Sequence, residues 1–474
     1  MFVNRENEQA RLAAWWQAPG PRLAVVWGRR RVGKTALLRH FAQGRRTVFH
    51  IGTRRPPVDE LRTFARASAA VLSHRSVEVN PFHDWADAIE SLAREADDEP
   101  LFVVLDEFPE LVQASPDLPS VIRAVLDSLP PSNKLRLALC GSAVRTMQAM
   151  LEERAPLYGR AHEKLLIHPF RPHEAAAMLE PLPPSEKALV WGIVGGIPLY
   201  LQWWDVESSI RDNLANLVCR PGAPLLTEGE LVLATEGDSG DLTRQVMFAL
   251  AAGRTKHNEI ADAVRTDPTR TLDRLIELRL VERLTPVTEN PHRTRRRLYR
   301  IADNFLAFWL GVVQPFRSEI ERGISAGIVS ALLQKLDDFM GPRFEEAFRD
   351  HLRRLAQAGR LAPDVVAIGP YWTAAEPVVE FDAVVLAGAH REIVMVGEAK
   401  WAKRVDGNAI ARELRRVFPA VLGTTADVAV AVAARETVSG TVDLPVTAAD
   451  IFSTTLPTRW GRRSLPRASR ARSR

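Results

Sequence analysis

Three groups of residues have the types and spacing to do chemistry. The first is Gly28-Arg29-Arg30-Arg31-Val32-Gly33-Lys34-Thr35. Its two glycines bound a loop whose amides can turn inward on phosphate oxygens. Lys34 would reach the β- and γ-phosphates, the Thr35 hydroxyl would sit on Mg²⁺, and the helix that follows adds its positive N-terminus. That spacing describes a phosphate-binding loop and implies ATP with Mg²⁺ as its ligands. Arg29, Arg30 and Arg31 are expected to point into solvent, because backbone amides do the cradling. The second group ends the apolar run Leu101-Phe-Val-Val-Leu105 in Asp106-Glu107. Asp106 would hold Mg²⁺ through water, while Glu107 would polarise the attacking water. Ser142, after Cys140-Gly141, would lay a hydroxyl between these acids and the γ-phosphate, or cap a helix. The third group is Asp382, then Glu398 and Lys400, with Glu345 upstream. Residues two apart on a strand share a face, so Glu398 and Lys400 project together and a hairpin brings Asp382 near them.

The elements that must position these groups follow from hydrophobic periodicity. Leu23–Trp27, Thr47–Ile51, Leu101–Leu105, Leu135–Cys140 and Leu165–His168 read as strands separated by helical segments such as Asp59–Leu72 and Trp85–Ala93. That alternation predicts an α/β fold with a parallel sheet over residues 1–180. Residues 181–238 read as a helical lid region. Leu242–Ala252, Asn258–Val264 and Asp267–Leu280 read as helices, followed by strands Leu280–Leu284 and Arg297–Ile301 around a basic loop. Three helices and a two-stranded wing predict a winged helix over 239–303. A helical connector over 304–338 and a last α/β unit over 339–457 complete the reading.

Composition narrows the function classes. Hydrophobic residues make up 46% and charged residues 26%, as in water-soluble folds. Two cysteines, Cys140 and Cys219, exclude a disulfide framework and a cysteine metal site, which fits a reducing cytoplasm. The N-terminus lacks the apolar core of a signal peptide, and Ala188–Trp204 is too short and too broken by Gly195, Gly196 and Pro198 to span a bilayer. No membrane partner is expected. The net charge is +5, yet seven arginines and no acids fall within Thr458–Arg474. The basic character therefore belongs to a tail over 458–474, read as a disordered end or a nucleic-acid contact. Within the winged helix, Arg265, Arg270 and Arg274 line the third helix and Arg293, Arg295, Arg296 and Arg297 crowd the wing. Both surfaces suit DNA, although such a fold can also serve as a packing relay.

Beyond these groups the chain resembles the archaeal-type P-loop ATPases, relatives of the STAND branch of AAA+ proteins. The likeness rests on Phe2-Val-Asn-Arg5-Glu6-Asn-Glu8, on Pro156-Leu-Tyr-Gly-Arg160 followed by Ile167-His-Pro-Phe170, on Gly195-Gly-Ile-Pro198-Leu-Tyr200, and on Tyr299 to Trp309. The resemblance implies that the Arg5 box packs near the adenine and that Pro198 borders the base. It makes Arg160 a γ-phosphate sensor or arginine finger, against the alternative of an ordinary surface arginine. The Asp382, Glu398, Lys400 pattern is similar to the PD-(D/E)xK restriction-endonuclease-like fold. There Asp382 and Glu398 would hold Mg²⁺ with the Ala399 carbonyl, Lys400 would orient water, and Glu345 would assist. The expected protein is thus a P-loop ATPase coupled to a DNA-binding winged helix and a metal-dependent nuclease domain. The alternative is an ATP-dependent regulatory switch that binds DNA, a protein or a second copy and cuts nothing.

Overall fold

The computed structural model describes residues 2–73, 81–235, 240–324, 326–374, 378–423 and 428–456. The arginine-rich tail over 458–474 lies outside the described residues. The chain divides into two compact units, Met1–Pro169 and Phe170–Arg474. The first boundary therefore falls before the 180 expected from sequence.

In the first unit, strands β1 (Arg22–Trp27), β2 (Thr47–Ile51), β3 (Leu101–Asp106), β4 (Leu135–Gly141) and β5 (Ala161–Leu166) form a parallel sheet in the order β2-β3-β4-β1-β5. β3 and β4 are buried along their whole length. Continuous apolar runs are what a parallel sheet covered on both faces requires. Helices α1 (Glu6–Gln17), α2 (Lys34–Ala42), α3 (Pro57–Ser68), α4 (Trp85–Glu95), α5 (Phe108–Ala114) and α6 (Leu118–Ser128) supply that cover. Phe64, Trp85, Ile89, Leu92, Phe108 and Ile122 pack with Val25, Val103 and Leu137 into one core. Because every strand runs the same way, the phosphate-binding loop, Asp106 and Ser142 all follow the carboxyl ends of their strands. Ligands of open α/β sheets bind at that edge.

The second unit opens with helices through Thr235, then shows Asp241–Ala251, His257–Val264 and Thr269–Glu277 ahead of an antiparallel pair, β6 (Val281–Leu284) and β7 (Leu298–Ile301). Thr269–Glu277 is amphipathic: Leu272 and Leu275 are buried, whereas Arg270 and Asp273 face water. The long helix Ala326–Gln357 runs straight through position 339. The expected boundary between connector and last domain is thereby corrected. Its Phe344, Phe348, Leu352 and Leu355 form a continuous buried stripe, so one helix serves both segments.

That helix packs on a mixed sheet built from β8 (Val365–Trp372), β9 (Glu380–Ala387), β10 (Glu392–Lys400), β12 (Ala429–Ala434) and β14 (Leu444–Thr447), in the order β14-β12-β10-β9-β8. The short strands β11 (Arg404–Asp406) and β13 (Thr437–Ser439) pair separately. β8, β9 and β10 are antiparallel, while β10, β12 and β14 run parallel. Helix Gly407–Leu422 covers the opposite face through Ala411, Leu414 and Phe418. Gly397 on β10 is needed where Phe348 presses in, since a Cβ there would lie 2.9 Å from the ring.

Candidate functional site

The loop after β1 carries Lys34, which is 6% exposed and donates from Nζ to the carbonyls of Gly28 (3.0 Å) and Arg29 (2.8 Å). Thr35 Oγ1 donates to Asp106 Oδ2 at 2.6 Å, joining the loop to the end of β3. Asp106 Oδ1 accepts the Glu107 amide at 3.0 Å. Glu107 itself holds left-handed backbone angles, φ 47° and ψ 44°, as the cap of α5. Such strain in a non-glycine residue persists only where its surroundings fix it. Here Gly52 lies against the Glu107 carbonyl, where a Cβ would come within 2.9 Å of the oxygen. Ser142 Oγ donates to Glu107 Oε2 at 3.2 Å, and Ala143 rather than Ser142 caps the next helix. Burial and the Asp106 carboxylate push the Cys140 thiol up, which keeps it neutral beside the acids.

In this unit one expectation is corrected, and two residues have partners that bear on their expected roles. Arg29 does not point into solvent; it is 7% exposed, and only Arg30 of the three arginines is exposed. Arg5 lies 5% exposed beneath the loop, donating from Nη2 to Val32 O (2.8 Å) and His168 O (2.7 Å). It braces the loop backbone by satisfying carbonyls that turn inward. Arg160 lies at the wrong end of the sheet for a sensor. It precedes Ala161, which pairs with Leu23 at the start of β1, while the loop leaves β1 after Trp27. Four strand residues at ~3.3 Å each separate it from the loop by roughly 13 Å. There it forms a bidentate pair with Asp127 of α6, 2.6 and 3.1 Å long and open to solvent. Arg160→Ala is expected to leave ATP turnover within about twofold of wild type; a tenfold or greater loss in a steady-state assay would return it to phosphoryl transfer. Pro198 opens helix Pro198–Trp203 in the second unit.

In that unit Gly397 of β10 pairs with Ala383 of β9, one residue short of Glu398 and Asp382. Asp382 Oδ2 accepts the Ala399 amide at 2.8 Å. Glu398 Oε1 pairs with Lys400 Nζ at 2.5 Å. Burial, then the negative charge of Glu345, raises Asp382 to about 6. Burial and Asp382 raise Glu398; burial, with Glu398 adding to it, raises Glu345 against the pull of Arg349. Three acids therefore crowd one place at electrostatic cost. Among the described residues, no group of three or more His, Cys, Asp or Glu side chains is placed to hold a metal ion.

Two residues that the sequence reading passed over sit beneath this cluster. Arg349, 1% exposed, donates from Nη1 to the Asp382 carbonyl at 2.7 Å and from Nε to Glu346 Oε2 at 3.0 Å. Partial burial opposes the ionisation of Glu346, yet Arg349, Arg300 and Arg353 hold it down at about 2. A signal existed: Arg349 falls between Phe348 and Leu352 on the inner side of the helix, where an unpaired arginine is not tolerated.

The basic surfaces are also revised. Arg265, Arg270, Arg293 and Arg295 are exposed, but Arg296 turns back on the last sheet. It pairs with Glu289, donates to Trp372 O at 2.6 Å, and lies over the Tyr371 ring. Half-buried neighbours that accept its hydrogen bonds hold it in place of water.

Residues 2–203 match a family described as an ATPase domain predominantly from Archaea. Residues 309–412 match a second family, of archaeal and bacterial proteins of unknown function. An uncharacterized protein of Methanocaldococcus jannaschii is 28% identical over 422 residues, covering 88% of this chain and 90% of that one. An uncharacterized ATP-binding protein of the same organism is 41% identical over 46 residues, 10% of this chain and 78% of that protein. Among solved structures, a Walker-type ATPase of Pyrococcus abyssi superposes with a TM-score of 0.50 at 18% identity, over 65% of this chain and 96% of its own. Residues 2–203 are thus similar to an archaeal-type ATPase domain and form a parallel-sheet α/β fold, followed by a C-terminal mixed-sheet domain. Among the described residues, no helix is long and apolar enough to cross a membrane.

Proposed function

We propose that this chain is an ATP-hydrolysing P-loop protein that binds DNA through its second unit and hydrolyses phosphodiester bonds at the Asp382 cluster. One observation carries the ATPase reading: the 2.6 Å Thr35–Asp106 hydrogen bond joins the phosphate loop to the acid strand beside Glu107. Lys34 exchanges its two loop carbonyls for β- and γ-phosphate oxygens, and the amides at the start of α2 hold the remaining charge. Thr35 and Asp106 are oxygen donors suited to a hard cation, and Mg²⁺ bound there neutralises charge on the triphosphate. Glu107 orients the attacking water and accepts its proton, while Ser142 fixes the orientation of that carboxylate. The short ATP-binding relative of Methanocaldococcus jannaschii supports the same ligand.

The three helices and β6–β7 pair are read as a winged helix, whose exposed Arg270, Arg293 and Arg295 face a phosphate backbone. Substituting Arg293 and Arg295 together by Ala should weaken DNA binding. The log–log salt slope should fall by about one unit for each phosphate that is no longer neutralised, with the chain lacking residues 458–474 as control. An unchanged slope assigns this fold to packing alone.

At the C-terminal cluster, Asp382 and Glu398 would supply two carboxylates to one cation. This is the number Mg²⁺ takes from a protein when water and substrate phosphate complete its shell. Mg²⁺ there supplies charge neutralisation at the scissile phosphate. Lys400 orients the attacking water, and Glu345 assists from the helix. One observation favours the second reading, a regulatory switch that cuts nothing: Lys400 closes on Glu398 at 2.5 Å as an ion pair. Incubating the protein with plasmid and Mg²⁺ or Mn²⁺, with and without ATP, separates the two. Intact plasmid under every condition, with ATP still hydrolysed, selects the switch.

A further inference from the structure

We propose that the β6–β7 hairpin is a working part of the acid cluster: Arg300, Glu346 and Arg349 form a relay that positions Asp382 and Glu345 and couples hairpin contacts to cation affinity there. The inference rests on the reading of that cluster as a cation site. Arg300 of β7 donates from Nη2 to Glu346 Oε2 at 2.8 Å, and its Nε pairs with Glu282 of β6. The same Glu346 oxygen accepts Arg349 Nε at 3.0 Å, while Oε1 takes Arg353 Nη1 at 2.7 Å. Arg349 then reaches the Asp382 carbonyl at 2.7 Å and lies 3.9 Å from Glu345 Oε2. Two side chains, Glu346 and Arg349, thus span the distance from the hairpin to the acids.

The hairpin loop is held to the same sheet. Val287 N–H donates to Pro370 O (2.9 Å), Val287 O accepts from Arg391 (2.8 Å), and Arg296 holds Trp372 O (2.6 Å). Val287 packs over Gly369 of β8, where a Cβ would lie 3.0 Å from it. β8 is the sheet neighbour of β9, which carries Asp382. Movement of the hairpin is therefore felt both along β8 and through the shared Glu346 oxygen. Two guanidiniums on one oxygen set each other's geometry. If Arg300 withdraws, Arg349 is free to turn toward Glu346 and release the Asp382 backbone. Coupling of this kind is reciprocal, so a cation at the cluster must also steady the hairpin.

The test uses the full chain without nucleotide or DNA. Mn²⁺ titrations by calorimetry compare wild type, Asp382→Ala, Glu346→Gln, Arg300→Gln and Arg300→Lys. Wild type should bind and Asp382→Ala should not. Glu346→Gln and Arg300→Gln should weaken Mn²⁺ binding on the order of 10-fold, the size expected for groups that orient ligands. Arg300→Lys should recover part of the loss. In wild type, adding Mg²⁺ should slow amide exchange over Leu298–Ile301, measured by mass spectrometry, and Glu346→Gln should abolish that slowing. Wild-type Mn²⁺ affinity in Glu346→Gln and Arg300→Gln would overturn the relay while leaving the cation site. No Mn²⁺ binding by wild type would overturn both. Should the variants fail to fold, the exchange result on wild type decides alone: unchanged exchange at β7 with Mg²⁺ bound sinks the relay.

Discussion

Lys34→Ala is expected to lower ATP affinity by at least ~100-fold, and Glu107→Gln to leave ATP bound but slow its hydrolysis by about 10²–10⁴-fold. The two substitutions fail in different ways because the side chains act at different moments. Lys34 is buried with its ammonium satisfied by Gly28 and Arg29 carbonyls, so the site is already organised for a cation facing phosphate. Its removal strips the charge-assisted hydrogen bonds to phosphate; ~100-fold corresponds to about 2.7 kcal/mol. Glu107→Gln preserves shape and can still meet Ser142, but an amide cannot accept the proton of water. Equilibrium binding of a fluorescent ATP analogue and steady-state phosphate release separate the outcomes. Equal turnover in Glu107→Gln and wild type would move the proton acceptor elsewhere.

Asp382→Ala should eliminate divalent-cation binding at the C-terminal cluster and any metal-dependent cleavage, with ATP binding unchanged. In the proposed site the carboxylate is one of two that would hold the cation, and a single remaining carboxylate holds Mg²⁺ weakly. Lys400→Ala should keep the cation and lose rate. A stability readout tells a cation site from a structural ion pair. Asp382→Asn retains an acceptor for the Ala399 amide but removes a charge that Glu345 and Glu398 repel. In metal-free protein at neutral pH it should raise the melting temperature by a few degrees, a gain of roughly 1 kcal/mol. A fall instead would identify Asp382 as a structural residue and leave no cation site at the cluster. Calorimetric Mn²⁺ titration and thermal melts in chelator supply both numbers.

The sequence by itself determined the parts that depend on neighbours along the chain. Leu23–Trp27 and Leu101–Leu105 can only be covered strands, because continuous apolar runs leave no face for water. A glycine-bounded loop ending in Lys34-Thr35 ahead of a helix set the local geometry of a phosphate cradle. A short hairpin with Asp382 and Glu398 near the ends of adjacent strands made their proximity legible too, because paired strands run side by side. What depends on sheet edge, burial and long-range partners was decided only by tertiary structure. Arg160 follows the expected segment, yet chain order does not state which end of a parallel strand a residue occupies, and the fold puts it on Asp127 away from the loop. Arg29 and Arg296 look like surface charge because guanidinium carries no mark of burial; folding alone decides whether carbonyls and carboxylates gather to receive it. Arg349 and Glu346 were hidden for the same reason, as charged residues on a charged helix. Their partners, Asp382 and Arg300, lie 33 and 46 residues away, a separation that local patterning does not encode and only the packed helix, sheet and hairpin bring within hydrogen-bond reach.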